Sequence, residues 1–253
     1  MKEEERPQYW DRKWRLKEQR IRENVTLDGS DGELEFDAEA IRLARGKDVL
    51  DIGCGPGEFT LRVAKRARSV VGADSSKVAL RMAGRNLAKK ALINVVFRYG
   101  EARNLPFANE SFDFAYSRRG PASDSKKCLA EVMRVLRRGG TFTEITIGER
   151  DKQNLAEIFG RGQMLGCRGQ VSAVKRRWLE ETGFREVSSR DYLGTEVFRS
   201  MKDLMVRLLS APIIPSFDVE GDRRFLDAVR AKCTTERGVE TPVHRVILVA
   251  KKG

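Results

Sequence analysis

The chain reads as an α/β protein of the doubly wound kind, a mostly parallel sheet of seven strands with helices on both faces. Three observations predict it. Short apolar, β-branched runs alternate with stretches of helical periodicity roughly 10–15 residues long, the pattern of βαβ crossovers. A cluster of glycines stands directly after the first run of that alternation. A last strongly apolar run closes the chain behind a long polar insertion.

Residues 6–24 are expected to form a charged helix, with Trp10, Trp14 and Ile21 recurring at near-helical spacing. The stretch Asp28-Gly-Ser-Asp-Gly-Glu breaks it and serves as a linker or entrance loop. A short helix at 36–45 leads to the strand Asp48-Val-Leu-Asp-Ile. Strands follow at 69–74, 94–99, 111–117 and 140–147, with helices at 57–67, 76–91 and 125–137. Helices are then expected at 151–160 and 171–182, a strand at 184–192 and a final strand at 244–251. If these last two strands pair antiparallel, residues 194–241 form a cap insertion over the ligand-binding edge. Residues 1–35 are assigned to an N-terminal lid helix and linker, and 36–253 to the main domain.

Length and composition support one well-filled domain. At 253 residues, with 40% hydrophobic residues, twelve Phe and three Trp, a full core needs no disulfide or metal staple. No apolar run reaches the roughly 18 residues a membrane span needs, and Met1-Lys-Glu-Glu-Glu lacks the profile of a secretory signal. The expectation is a soluble, cytoplasmic protein with no membrane partner. Cysteines at 54, 128, 167 and 233 show no metal-ligand spacing, and His244 is the single histidine, so no metal site is expected.

The net charge of +12 raises nucleic acid as a partner. Its distribution weakens that idea. Residues 51–100 hold ten basic and three acidic residues, a net of +7, and most of these cations fall on two predicted helices whose apolar partners face inward. A solvated helix face accounts for such a pattern equally well.

The most specific local signal is Val49-Leu-Asp-Ile-Gly-Cys-Gly-Pro-Gly-Glu. A dinucleotide-binding G-x-G-x-x-G would place its third glycine at 58, which is Glu58, and no Gly-Lys-Ser/Thr phosphate loop is present. The D-x-G-x-G-x-G form resembles motif I of the class I S-adenosylmethionine (SAM) methyltransferases. Asp74 at the end of the second βαβ strand, Gly100-Glu101-Ala102, Leu105-Pro-Phe with Ser111-Phe-Asp-Phe, and Arg134-Val-Leu-Arg-Arg-Gly-Gly resemble the later motifs of its small-molecule, type 11-like branch. Arg138 replaces the usual proline of the last motif. The resemblance covers residues 45–150 and implies a Rossmann-like sheet, transferase activity and SAM as cofactor.

It also implies roles. Asp51, Gly53, Cys54, Gly55 and Gly57 would form the cofactor loop, with Cys54 a packing residue rather than a nucleophile. Asp74 with Ser75 would meet the ribose, Glu101 and Ala102 would lie beside the adenine, and Ser117, at the end of the fourth strand, would also bind the cofactor. Each also has a plainer reading: Asp74 as a helix cap, Glu101 as an ordinary loop carboxylate. Arg118 and Arg119 are candidates to hold an anionic substrate group, against pairing with a local acid or facing solvent. His244 is a candidate base, against a structural role. Tyr9, Trp10 and Trp14 either close as a lid or dock as core. A small-molecule acceptor is preferred, with RNA as the alternative.

Overall fold

The computed structural model describes residues 7–18, 23–166 and 169–253. Ile21 and Cys167 lie outside them. The chain divides into two compact units. One comprises Gly32–Thr146, Ser172–Arg190 and Val246–Gly253; the other takes in the described parts of Met1–Asp31, Ile147–Val171 and Asp191–Arg245.

The first unit is the doubly wound sheet. Its strands are β2 (Asp48–Ile52), β3 (Ser69–Asp74), β4 (Val95–Tyr99), β5 (Phe112–Arg118), most of β6 (Leu136–Ile147), and the parts of β7 (Phe184–Phe198) and β9 (Gly238–Lys252) that fall within it. They run in the order β7-β9-β6-β5-β2-β3-β4. The pairs β2–β3, β2–β5, β3–β4 and β5–β6 are all parallel. From β2 the chain winds outward through β3 to β4, then returns to β5 on the other side. The strand order therefore reverses between β2 and β5, where such sheets open a crevice at their carboxyl ends.

Right-handed crossovers that step the same way put their helices on the same face. Accordingly α2 (Glu33–Leu43) packs on α3 (Glu58–Ala64), which packs on α4 (Lys77–Leu87). Ser76 caps α4 by accepting the Ala79 N–H at 3.1 Å, and Ser125 caps α5 (Lys126–Val135) through Cys128 N–H at 3.3 Å. The central strand β2 is buried from Val49 to Ile52, as expected for a strand covered on both faces. Leu50, Ile52, Leu129, Phe142, Leu179 (on α7, Val171–Thr182) and Leu248 belong to one continuous core.

The second unit has its own core of Leu155, Phe159, Phe198, Leu204, Leu208, Leu226 and Val229. These come from α6 (Gln153–Phe159), α8 (Met201–Ser210), α9 (Arg223–Cys233) and the end of β7. Helix α1 (Pro7–Glu18) packs on α8, with Lys13 Nζ donating to Leu209 O at 2.6 Å and Tyr9 buried beside Trp10. Helix α1 thus has a packing partner within its own unit.

Several expected boundaries move. The linker contains a strand, β1 (Val25–Gly29), paired antiparallel with Phe198–Gly194 of β7. Strand β7 continues to Phe198, and β9 begins at Gly238 behind the two-residue β8 (Thr234–Thr235). Among the described residues nine strands are paired, where seven are expected from the sequence. The ends of the polar insertion carry no apolar run that would mark a strand. Backbone pairing, supplied by segments distant in sequence, holds them extended all the same.

Candidate functional site

The crevice between β2 and β5 is closed by glycine on both sides. A Cβ at Gly53 would come within 2.7 Å of Pro121 Cδ, and one at Gly120 within 2.5 Å of Ile52 O. The loop after β2 and the loop after β5 therefore touch backbone to backbone. Gly53, Gly55 and Gly57 have φ of 77°, 53° and 75°, the left-handed region that side-chain-bearing residues disfavour. The turn they make brings Gly57 N–H onto Cys54 O at 3.0 Å and starts α3.

Asp74 ends β3 and is half-buried. Its Oδ2 accepts the Gly55 N–H at 2.8 Å and its Oδ1 the Ser76 N–H at 2.8 Å. The N-cap of α4 is Ser76; Asp74 makes a turn contact with its N–H, and the same carboxylate ties the glycine loop to the neighbouring strand end. Ser75, between them, is half-buried. Gly100 N–H bonds Asp74 O at 3.1 Å, so the segment after β4 lies alongside. There Glu101 is exposed, accepts the Tyr99 hydroxyl at 2.9 Å and bridges to Asn104, while Ala102 is buried.

Asp51 is buried beneath the loop, 2% exposed. Its Oδ2 accepts the hydroxyls of Thr60 at 2.6 Å and Tyr116 at 2.8 Å. Burial pushes its carboxyl up to about 7, and the nearby Asp74 charge adds to this, against the two hydroxyl donors and the charge of Arg118. Burial likewise raises the Cys54 thiol well above its usual range, with the charges of Asp51 and Asp74 adding to it. That keeps it a neutral packing group. Ser117 is buried and gives its hydroxyl to Ile52 O at 2.9 Å, locking β5 to β2.

Arg118 is held by carboxylates. Its Nε donates to Asp37 Oδ1 at 2.8 Å and its Nη2 to Glu33 Oε2 at 2.6 Å, with Phe59 beneath the guanidinium. Arg119, at φ 59°, lies 3.2 Å from Glu33 Oε1. These are the pairings with local acids that the sequence left open. The partners sit on α2, about 80 residues upstream, beyond the reach of any local pattern.

His244 lies in the second unit, in the middle of β9 rather than at its start. It is 3% exposed. Nε2 is 3.0 Å from Asp191 Oδ1, and Nδ1 accepts the Arg150 N–H at 3.3 Å. With Nδ1 an acceptor, the proton belongs on Nε2, facing Asp191. Both ring nitrogens have protein partners.

One group escaped the sequence reading. Glu144 is fully buried on β6, opposite Ser117 in the β5–β6 register. Lys175 Nζ donates to Ser123 Oγ at 2.5 Å, the Ser123 hydroxyl donates to Glu144 Oε2, and Glu144 Oε1 has no partner. Burial raises the Glu144 carboxyl, opposed chiefly by the Lys175 charge. A lone acid inside Thr-Phe-Thr-Glu-Ile-Thr-Ile was its only sequence signal.

A glycine turn at the switch point, a half-exposed acid on the next strand end and a second acid one strand further define a Rossmann-like α/β fold with its crevice at β2 and β5. Residues 49–140 match the family model described as a methyltransferase domain. The chain is 36% identical over 96 residues to an uncharacterized methyltransferase, YcgJ, of Bacillus subtilis, covering 37% of this chain and 38% of that protein. It is 30% identical over 168 residues to a demethylmenaquinone methyltransferase of a Geobacillus species, covering 64% and 70%. The crystal structure of YcgJ superposes with a TM-score of 0.65 at 20% identity, over 87% of this chain and 99% of that one. Against three of the curated relatives it matches, the chain spans only 38%, 57% and 53% of their own length. The chain belongs to the class I S-adenosylmethionine-dependent methyltransferases.

Proposed function

We propose that this protein transfers a methyl group from SAM to a small-molecule acceptor. The observation that carries the cofactor reading is Asp74. It stands half-buried at the end of β3 and ties the glycine loop to that strand end through the Gly55 N–H, and carboxylate oxygens are the acceptors that a ligand diol calls for. Glu101 on the adjoining segment offers a second acceptor. Carboxylates after β3 and β4, beside a tight glycine turn, fit a ligand that brings hydroxyl and ammonium donors.

Bound SAM supplies an activated methyl group on a sulfonium, so alignment and exclusion of water can do much of the catalysis. In this reading Asp74 and Glu101 orient the nucleoside, with Ser75 and Ala102 beside it, and Gly53, Gly55 and Gly57 let the backbone approach. Asp51 supports the loop from beneath through Thr60 and Tyr116, and Ser117 holds the β5 end against β2. Arg118 positions α2 against the end of β5. Arg119, the more exposed of the two arginines, is the one retained as a contact for an anionic acceptor group. His244 has both nitrogens engaged, so the proposal assigns it to structure rather than to proton removal.

The likeness to a demethylmenaquinone methyltransferase supports a small-molecule acceptor over RNA. Isothermal titration with SAM tests the cofactor reading. Binding near micromolar, about −8 kcal/mol, is expected for the wild type and clear weakening for Asp74→Ala; a folded wild type that gives no heat refutes it. Transfer of tritiated methyl to cell extract tests the acceptor. Label in the ribonuclease-resistant, solvent-extractable fraction supports a small molecule, and ribonuclease-sensitive label overturns it.

A further inference from the structure

The amino-terminal ends of β4, β3, β2, β5 and β6 form the edge opposite the crevice. The loops entering them are joined to one another. Gly46 N–H bonds Arg66 O at 2.9 Å and Arg68 N–H bonds Lys47 O at 2.9 Å. The Asn94 side chain donates to Ala64 O at 2.9 Å and Ala67 O at 3.1 Å. Arg137 reaches Asp48 at 3.1 Å and Asp113 at 2.7 Å, and Arg68 Nε donates to Asp48 at 2.8 Å. That four-charge cluster is electrically balanced. Around it stand Arg45, Lys65, Arg66, Lys89, Lys90 and Arg138, all exposed. None of the six has a carboxylate partner among the described residues. Ile93, three residues beyond Lys90, is 102% exposed.

Cations after α2, α3 and α4 complement the negative ends of the helix dipoles, which explains one per helix. It explains neither the doubled Lys65-Arg66 and Lys89-Lys90, nor Arg138 at the start of a strand, nor an isoleucine projecting fully into water. Five strand entrances spaced ~4.8 Å apart make a row about 19 Å long, suited to a broad planar partner. The loops 44–47, 65–68 and 88–94 and the strand start 136–140 contain no aromatic residue, and Phe107 ahead of β5 packs against the core, so the edge offers no stacking platform of the kind that single-stranded nucleic acid uses. Cations ringing a protruding aliphatic side chain match the anionic headgroups and shallow apolar layer of a bilayer.

We propose that this edge docks the protein on an anionic membrane surface, with Ile93 entering the interfacial layer among Lys89, Lys90, Lys65 and Arg66. No helix among the described residues is long and apolar enough to cross a membrane, and surface docking needs none. The sequence-based expectation of no membrane partner rested on spanning segments alone. The crevice, at the other edge of the sheet, faces away from the lipid, so docking localises the protein and leaves the site open to water.

Co-sedimentation with vesicles of phosphatidylcholine, with and without phosphatidylglycerol, tests this at low and high salt, using the full chain. Binding to the anionic vesicles alone, weakened by salt, is expected. Each cation near such a surface contributes about fivefold, so Lys89→Glu with Lys90→Glu should lower the partition at least about 30-fold. Ile93→Asp should lower it with no change in the cationic residues. Ile93→Asp should keep the wild-type unfolding midpoint, so that its loss of binding is read on a folded protein. The proposal is overturned by three results: no binding to anionic vesicles, binding that both variants leave intact, or displacement from vesicles by double-stranded RNA at lower concentration than free lipid, which would assign the edge to nucleic acid.

Discussion

Replacing Asp51 by asparagine tests the electrostatics beneath the glycine loop. In the folded protein burial raises this carboxyl from 3.8 to about 7. A raised folded-state value means the protonated acid is the form the fold favours. The stability it contributes is fully present below about pH 3.8 and is lost as pH rises to about 7. At ~1.36 kcal/mol per pH unit the whole loss is about 4 kcal/mol, of which about 3 kcal/mol falls between about pH 5 and about pH 8. Asparagine keeps a carbonyl oxygen to accept from Thr60 and Tyr116 but cannot ionise. Urea unfolding of both proteins at the two pH values is the assay, and their difference cancels every other titrating group. The wild type should lose about 3 kcal/mol relative to Asp51→Asn on going to the higher pH. A difference that does not change with pH would refute the reasoning.

Other expectations follow from the same geometry. A cationic ligand beside Asp51 favours its carboxylate, so SAM affinity measured by titration calorimetry should rise from about pH 6 to about pH 8 in the wild type and stay flat in Asp51→Asn. Arg118→Ala leaves the buried Asp37 with Arg62 alone; chemical denaturation should show a loss of about 2 kcal/mol. Gly57→Ala drives a Cβ to 2.4 Å from the Phe97 ring at a φ of 75°, and should cost more than about 2 kcal/mol. Gly84→Ala in α4 meets nothing within 4 Å and should stabilise by about 1 kcal/mol, both read as shifts in urea midpoint. Glu144→Gln should gain over the wild type as pH rises, because burial raises the carboxyl it removes.

The parts of the molecule legible in the sequence are those governed by local rules. Val49–Ile52 reads as a buried strand because no polar side chain but Asp51 interrupts it, and Gly53, Gly55 and Gly57 read as a turn because their spacing suits nothing regular. The cap of α4 is visible in Asp74-Ser-Ser. By contrast, β1 and the extended ends of β7 and β9 are strands only through their partners. Val25 is paired with Phe198 across 173 positions, and neither segment has a strong strand pattern. His244 was placed at a strand start because Val246–Val249 is the apolar part of β9, yet pairing extends the strand back to Gly238. The arginine pair after β5 pointed to ligand by its position, and the carboxylates of α2 that hold it are known only from the fold.

What the sequence by itself determined is the alternation that makes a doubly wound sheet, the glycine turn at its centre and the acid at the next strand end. Each depends on residues adjacent in the chain, where backbone conformation and periodicity act directly. Only the tertiary structure decided which charges are spent. It paired Arg118 with Glu33 and Asp37, buried Asp51 and Glu144, enclosed His244 between Asp191 and Arg150, and left Lys89, Lys90 and Ile93 facing water. A charge or a donor acquires its character from what surrounds it in space, and those neighbours come from segments that no local pattern connects.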